Sequence, residues 1–331
     1  DKGVTLTRPL IMRLSFYCVL EVGIEDPDEP KDPETPHFIP AYSQKVKASK
    51  EFQTFQFDHS FVLNSLKSSM EGYVFHNQPL DTDDLLEQTV KLFNSCKTSL
   101  ELFDMLHNMR AYDDSTYAHS LNVALICRRI GKWLKVDAAT LDTLTLCGLL
   151  HDLGKLKIPD EILNKPDKYT DEEFDLVKRH TKFGYELLKT LNIDPHIKKA
   201  ALLHHERCDG SGYPLKATQK DLDDFSMVVA IADVYDAMTA ARSYRAPLCP
   251  FQVIERFEQE GLQKYKPKFI LTFLQHIAST YQNNRVLFSN GQSANIVMLN
   301  QQHLARPIVQ LNDNSCIDLS TRLDLHIQSI L

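Results

Sequence analysis

Between His119 and Asp233, five histidines (His119, His151, His180, His204 and His205) and two aspartates (Asp152 and Asp233) fall on the apolar faces of successive helical patterns. No other feature constrains the fold as much. One buried histidine or aspartate is satisfied by a local hydrogen bond. Burying this many ionisable groups with no common partner would cost several kcal/mol each. A shared cluster of divalent cations removes that penalty, so the helices are expected to pack with these side chains facing one another. Mixed imidazole and carboxylate ligands suit iron, manganese, zinc or nickel better than magnesium or calcium.

The helical patterns that carry these residues run in series. Asp81-Thr82-Asp83 starts a helix with acidic residues in its first turn, and Leu100 to Leu106 gives a second. A third contains His119 in its first turns, with Val123, Ile126, Ile130 and Trp133 behind it. Ala138 to Leu150 reads as a buried helix that delivers His151 and Asp152 side by side, with Gly154 expected to break it. An adjacent imidazole and carboxylate can each hold a different ion, or the carboxylate can bridge two. Lys155 follows, placed to meet an anion brought to the metals.

Downstream, Pro159 starts a short helix, and the capping box Thr170 to Glu173 opens another through Phe174, Val177, Thr181, Gly184 and Leu188. His180 lies on its inward face. A helix from Pro195 buries Ile197, Ala200, Ala201 and His204, and Ser226 to Ala240 is apolar apart from Asp233 and Asp236. One more helix is expected over residues 250–280.

The flanks differ. Residues 4–25 show a short helical pattern and the strand-like Val19-Leu20-Glu21-Val22, and Asp26 to Pro40 is a proline-rich acidic linker. Residues 41–80, rich in aromatics, are expected to form a small, partly helical module, with His59 and His76 surface or structural groups. From Arg285 the pattern alternates apolar and polar with Asn290-Gly291 as a turn, which predicts a short β appendage. The chain therefore divides into an N-terminal accessory module (1–80), a helical catalytic domain (81–284) and a β-rich C-terminal appendage (285–331). The fold class is mainly α, with a helical-bundle core.

Composition narrows the function. Only 11 glycines in 331 residues argues for helices over a loop-rich β protein, and a net charge of -7 gives no surface for coating polymeric nucleic acid. The 7 cysteines are scattered without metal-site spacing and read as reduced thiols. No stretch reaches the roughly 18 apolar residues of a membrane span, and no signal peptide is visible, so a cytoplasmic location without membrane attachment is expected.

Four motifs match in order and spacing: His151-Asp152-Leu153-Gly154-Lys155, His204-His205-Glu206, the loop Gly212-Tyr213-Pro214, and Asp233-Val234-Tyr235-Asp236 with Arg242-Ser243-Tyr244-Arg245. From about Tyr112 to Arg245 the chain resembles the HD-GYP family of bacterial cyclic di-GMP phosphodiesterases, within the HD superfamily of metal-dependent phosphohydrolases. The resemblance implies an HD-type helical bundle. It also implies one metal on His119, His151, Asp152 and Asp233, and a second sharing Asp152 and adding His180, His204 and His205. Some members carry a carboxylate one turn before the first histidine, associated with a third metal. Here that position is Ser115, so two metals are expected, with Asp113 or Asp114 a poor substitute. Cys208 stands where the family usually has an aromatic residue.

The implied reaction opens cyclic di-GMP to pGpG, or onward to GMP, by attack of a water activated between two metals that also clamp the phosphate. Lys155, Arg242 and Arg245 would neutralise the phosphodiester. Tyr213 would stack on or hydrogen-bond the nucleotide, or else pin its own loop. Asp236 would assist proton transfer or order Lys155. The competing reading is a degenerate receptor that binds the dinucleotide or a partner protein without turnover. Regulatory proteins or a second copy of the chain are the other partners considered.

Overall fold

The computed structural model describes residues 42–109, 115–165, 168–240 and 248–331. The expectations for residues 4–25, for the acidic linker and for Asp113 or Asp114 fall outside them. The first described elements are the helices Tyr42–Ala48 and Lys50–His76, so residues 42–76 are almost wholly helical. Ser49 caps the second through its side chain. Phe52, Phe55, Leu66 and Met70 from this helix join the same apolar core as the helices that follow. His59 is one of the structural histidines, buried with its Nε2 3.2 Å from Asn122 Oδ1.

Asp81 caps the helix Thr82–Ser95, accepting from the backbone of Asp83 and Asp84, and Ser99–Met109 follows. Thr116–Trp133 and Ala138–Leu150 form a hairpin across a short connection, the second helix with the bounds its apolar pattern predicts. A 3-10 turn, Leu153–Lys157, then leads through the short helix Asp160–Leu163 to Asp171–Lys178 and His180–Leu188. The capping box at Thr170 and Glu173 is present. The helices Pro195–Leu203 and Asp224–Thr239 complete the surroundings of the site.

Three expectations need correction. The helix expected from Thr170 through Leu188 is two, Asp171–Lys178 and His180–Leu188, separated at Arg179, so His180 opens the second. The helix over 250–280 is two helices, Pro250–Glu260 and Pro267–Thr280, because Gly261 takes a φ of +94 between them. The helix before His151 ends at Leu150 without help from Gly154, which sits inside the 3-10 turn.

Residues 285–330 form a five-stranded antiparallel sheet, β1 Arg285–Phe288, β2 Ser293–Met298, β3 Ile308–Leu311, β4 Cys316–Asp318 and β5 Ile327–Ile330, in the order β4-β3-β2-β1-β5. Its inner residues Val286, Phe288, Ile296 and Val309 are buried in the core shared with the helices. Arg306 fastens it to Pro250–Glu260 through Glu255 at 2.7 Å. Among the described residues, no helix is long and apolar enough to cross a membrane.

A buried carboxyl joins the first helix to the bundle. Tyr42 Oη donates to Asp104 Oδ2, and Ser43 Oγ donates to Asn108 Oδ1 at 2.6 Å. Burial raises the Asp104 carboxyl from 3.8 to about 6, with the Tyr42 hydrogen bond opposing. The folded chain therefore holds this proton more tightly than the unfolded chain. Stability falls as pH rises from about 4 to about 6, by roughly 3 kcal/mol from this group. Asp104→Asn is expected to stabilise the protein by about 1–3 kcal/mol at pH 8 and to leave it nearly unchanged at pH 4. Denaturant unfolding at both values checks this; an equal shift at both would show that the proton is not responsible.

Candidate metal centre

Three histidines are set by the same device. His151 Nδ1 donates to Gly148 O at 2.7 Å, His180 Nδ1 to Val177 O at 2.6 Å and His204 Nδ1 to Ala200 O at 2.9 Å. Each acceptor is a carbonyl three or four residues earlier, near the C-terminal end of the helix that precedes the ring. With Nδ1 protonated and held, each Nε2 presents a lone pair inward, the tautomer that a metal-binding imidazole needs.

Those nitrogens converge on Asp152. Its Oδ2 lies 3.2 Å from His151 Nε2 and 3.6 Å from His119 Nε2. Its Oδ1 lies 3.4 Å from His180 Nε2 and 3.7 Å from His204 Nε2. One carboxylate thus turns a separate oxygen to each of two imidazole groups. His119, His151 and Asp233 form one set of possible ligands, and Asp152, His180, His204 and His205 the other, each with its ligand atoms within 4.8 Å of one another. All seven residues singled out as ligands are brought together.

The donors fit divalent ions. His151 Nε2 and Asp152 Oδ1 are buried and make no hydrogen bond despite their near neighbours. His119 has carboxylates on both sides, Asp236 Oδ2 2.6 Å from Nδ1 and Asp233 Oδ1 3.0 Å from Nε2. A neutral ring can donate to only one of them, so its other lone pair faces an anion unless a cation lies between. Burial keeps these rings neutral: His180 is pushed down to about 4 and His204 to about 3, and His119 and His205 are also lowered. Burial would lower His151 too, but Asp152, Asp233 and the Gly148 carbonyl together outweigh it and raise this ring. Burial would raise Asp152, but the charges of His151 and Lys155 hold it well below the usual carboxylate range. Burial is likewise outweighed at Asp233, lowered chiefly by its hydrogen bond to His119.

The remaining residues frame the cluster. Lys155 Nζ sits 2.6 Å from Asp152 Oδ2, so this cation supports the central carboxylate. Asp236 orients His119, a contact that the sequence reading did not assign. A signal was available, since Asp233 and Asp236 stand three apart and share one face of their helix. Of the five clustered rings, His119 and His205 have side-chain exposure, 14% and 20%, and they mark the open side. There the Tyr213 ring stacks on His205 with centroids 4.7 Å apart. Cys208 is half-buried beside a small cavity of about 10 Å³ with Leu203, Met227 and Tyr265. Arg242 and Arg245 lie outside the described residues.

The model of the HD domain family matches residues 84–269, more than half of the chain. The chain belongs to the HD domain family. This HD domain chain is 34% identical over 183 residues to a 3'3'-cGAMP-specific phosphodiesterase of Vibrio cholerae, covering 54% of this chain and 35% of that protein. It is 34% identical over 178 residues to a cyclic di-GMP phosphodiesterase of Thermotoga maritima, covering 53% and 48%. The chain therefore spans half or less of the length of these curated relatives. A solved HDG"Y"P protein from Bdellovibrio bacteriovorus shares the fold, with a TM-score of 0.55 and 18% identity over 70% of this chain and 74% of that one.

Proposed function

We propose that this HD domain is a metal-dependent phosphodiesterase that opens a cyclic dinucleotide, with cyclic di-GMP as substrate and pGpG as first product. The observation that carries this reading is Asp152, whose two oxygens are divided between two groups of inward-facing imidazoles. The names of the relatives support the substrate class, cyclic di-GMP or 3'3'-cGAMP.

In this reading His119, His151 and Asp233 would hold one ion, His180, His204 and His205 the other, with Asp152 shared by both. Ions held there supply Lewis acidity toward the phosphodiester and lower the pKa of water. The chain supplies the rest. Asp236 fixes the His119 ring, and the backbone carbonyls behind His151, His180 and His204 fix theirs. Lys155 adds positive charge beside the central carboxylate, where it can also meet the substrate phosphate. Tyr213 offers a π-face at the open side for a base or ribose. Arg242 and Arg245, from their motif positions, would neutralise the phosphodiester. Residues 1–80 would act as a regulatory module for a cytoplasmic enzyme, 81–284 as its catalytic domain and 285–331 as a supporting appendage.

Anaerobically prepared protein is expected to hold about two ions of iron or manganese per chain, the number a bridging carboxylate arranges. It is expected to convert cyclic di-GMP to the linear dinucleotide. Metal analysis beside product chromatography, with 3'3'-cGAMP run in parallel, tests both. Preferential turnover of 3'3'-cGAMP would change the substrate and keep the reaction. A fully metallated chain that binds either dinucleotide and releases no product would replace the enzyme with the receptor reading.

A further inference from the structure

The loop that carries Tyr213 has an anchor to which the motif reading gave no role. Glu206 is only 2% exposed although it is a carboxylate next to His205. Oε1 accepts from Leu215 N at 2.6 Å and Oε2 from Ala217 N at 3.0 Å. Both donors lie on the far arm of the loop, beyond Tyr213. On the near arm, Tyr213 N donates to His205 O at 3.3 Å. Gly212 passes so close to the same turn that a Cβ there would lie 2.4 Å from both Glu206 Cα and His205 O. The loop is thus folded back on the His204-His205 turn and fixed at two points, with the Tyr213 ring over His205.

We propose that Glu206 is the positioning residue of this loop: its buried carboxylate holds both peptide N–H groups so that Tyr213 stays stacked on His205 at the open side of the metal centre. Glu206 touches neither the inward-facing nitrogens nor the open side, and it acts through Tyr213. Two charge-assisted hydrogen bonds to backbone are enough to choose one conformation of a short exposed loop. Without them, Leu215 N and Ala217 N lose their acceptor, and the loop keeps the Tyr213 N–H bond to His205 O, the Tyr213 ring contacts and the bonds at its base, Gly210 N to Arg207 O and Gln219 N to Cys208 O.

The first test needs no substrate. Lys216 is exposed, and the bond that follows it begins at the Ala217 N–H that Glu206 holds. In the metal-loaded protein, trypsin cleavage after Lys216, identified by mass, is expected to speed up about tenfold or more in Glu206→Ala, the scale of losing one charge-assisted bond. Glu206→Gln, which keeps one acceptor oxygen, should fall between. Metal content should equal that of the wild type in both variants.

The second test rests on the phosphodiesterase reading. Glu206→Ala should lower kcat/KM for cyclic di-GMP about as much as Tyr213→Ala does, and the double variant should be no worse than Tyr213→Ala alone. Unchanged cleavage at Lys216 in both Glu206 variants would overturn the proposal, as would additive losses in the double variant. If Glu206→Ala does not fold, Glu206→Gln carries both tests. A wild type with no turnover of any dinucleotide would sink the enzyme reading and leave the cleavage result to decide the role of Glu206.

Discussion

Asp152→Ala is expected to purify folded but almost without metal, and to lose on the order of 10³-fold or more in turnover of cyclic di-GMP. The reason is the division of its carboxylate. Oδ2 faces His151 and His119, and Oδ1 faces His180 and His204, so removing one side chain takes a ligand from both ions at once. It also removes the carboxylate 2.6 Å from Lys155 Nζ and the anion that does most to raise the His151 pKa. Breaking a buried pair from one side costs about 3–5 kcal/mol, so a lowered Tm should accompany the loss of metal. Circular dichroism separates this from global unfolding. Asp152→Asn, which keeps the volume, should lose metal nearly as completely. His119→Ala makes a useful contrast: it removes one ligand from one group at the exposed edge and should keep about one ion per chain. Metal content equal to the wild type in Asp152→Ala would show that the bridge is misassigned.

The inward-facing cluster of histidines and aspartates was legible in the sequence because burial and periodicity are local properties. An ionisable residue at a core position of a helical pattern stands out from its neighbours, and seven do so between His119 and Asp233. The bounds of Ala138–Leu150 and the Thr170 capping box were legible for the same reason. What escaped was relational. The carbonyls of Gly148, Val177 and Ala200 that fix three rings are backbone atoms and leave no trace in residue type. Glu206 stands in the His204-His205-Glu206 motif without a role, and its part as an anchor shows once the loop is seen folded over it. Phe174, at an apolar position of its helix, is 44% exposed beside Tyr213, because that helix packs at the rim and not in the core. Gly261 was read through because apolar periodicity continues on both sides, while its positive φ breaks the helix in two.

Gly154 shows how far one atom can matter in this site, and Gly154→Ala is expected to destabilise the protein by about 3 kcal/mol or more, beyond the usual range for overpacking. The sequence pattern reads this glycine as a helix breaker. Its place in the structure is a crossing: a Cβ there would lie 1.9 Å from His180 O and 2.4 Å from Gly184 N. Both are backbone atoms, so no rotamer change can relieve the clash, and either the 3-10 turn or the helix His180–Leu188 must move. Each carries or adjoins a proposed ligand, Asp152 two residues before Gly154 and His180 at the start of the helix. The variant should therefore lose metal affinity as well as stability, with a Tm lower by roughly 6–12 °C at the scale of 2–4 °C per kcal/mol. The control lies across the same contact. At Gly184 the nearest atoms to an added Cβ are Ala201 Cβ and Gly154 N, both at 3.4 Å. Gly184→Ala should be within about 1 kcal/mol of the wild type, since the tighter contact is offset by a better helix former. Thermal unfolding and metal analysis of both variants decide it: equal behaviour of the two would mean that the crossing at Gly154 is looser than the structure has it, and that its glycine does not set the distance between Asp152 and His180.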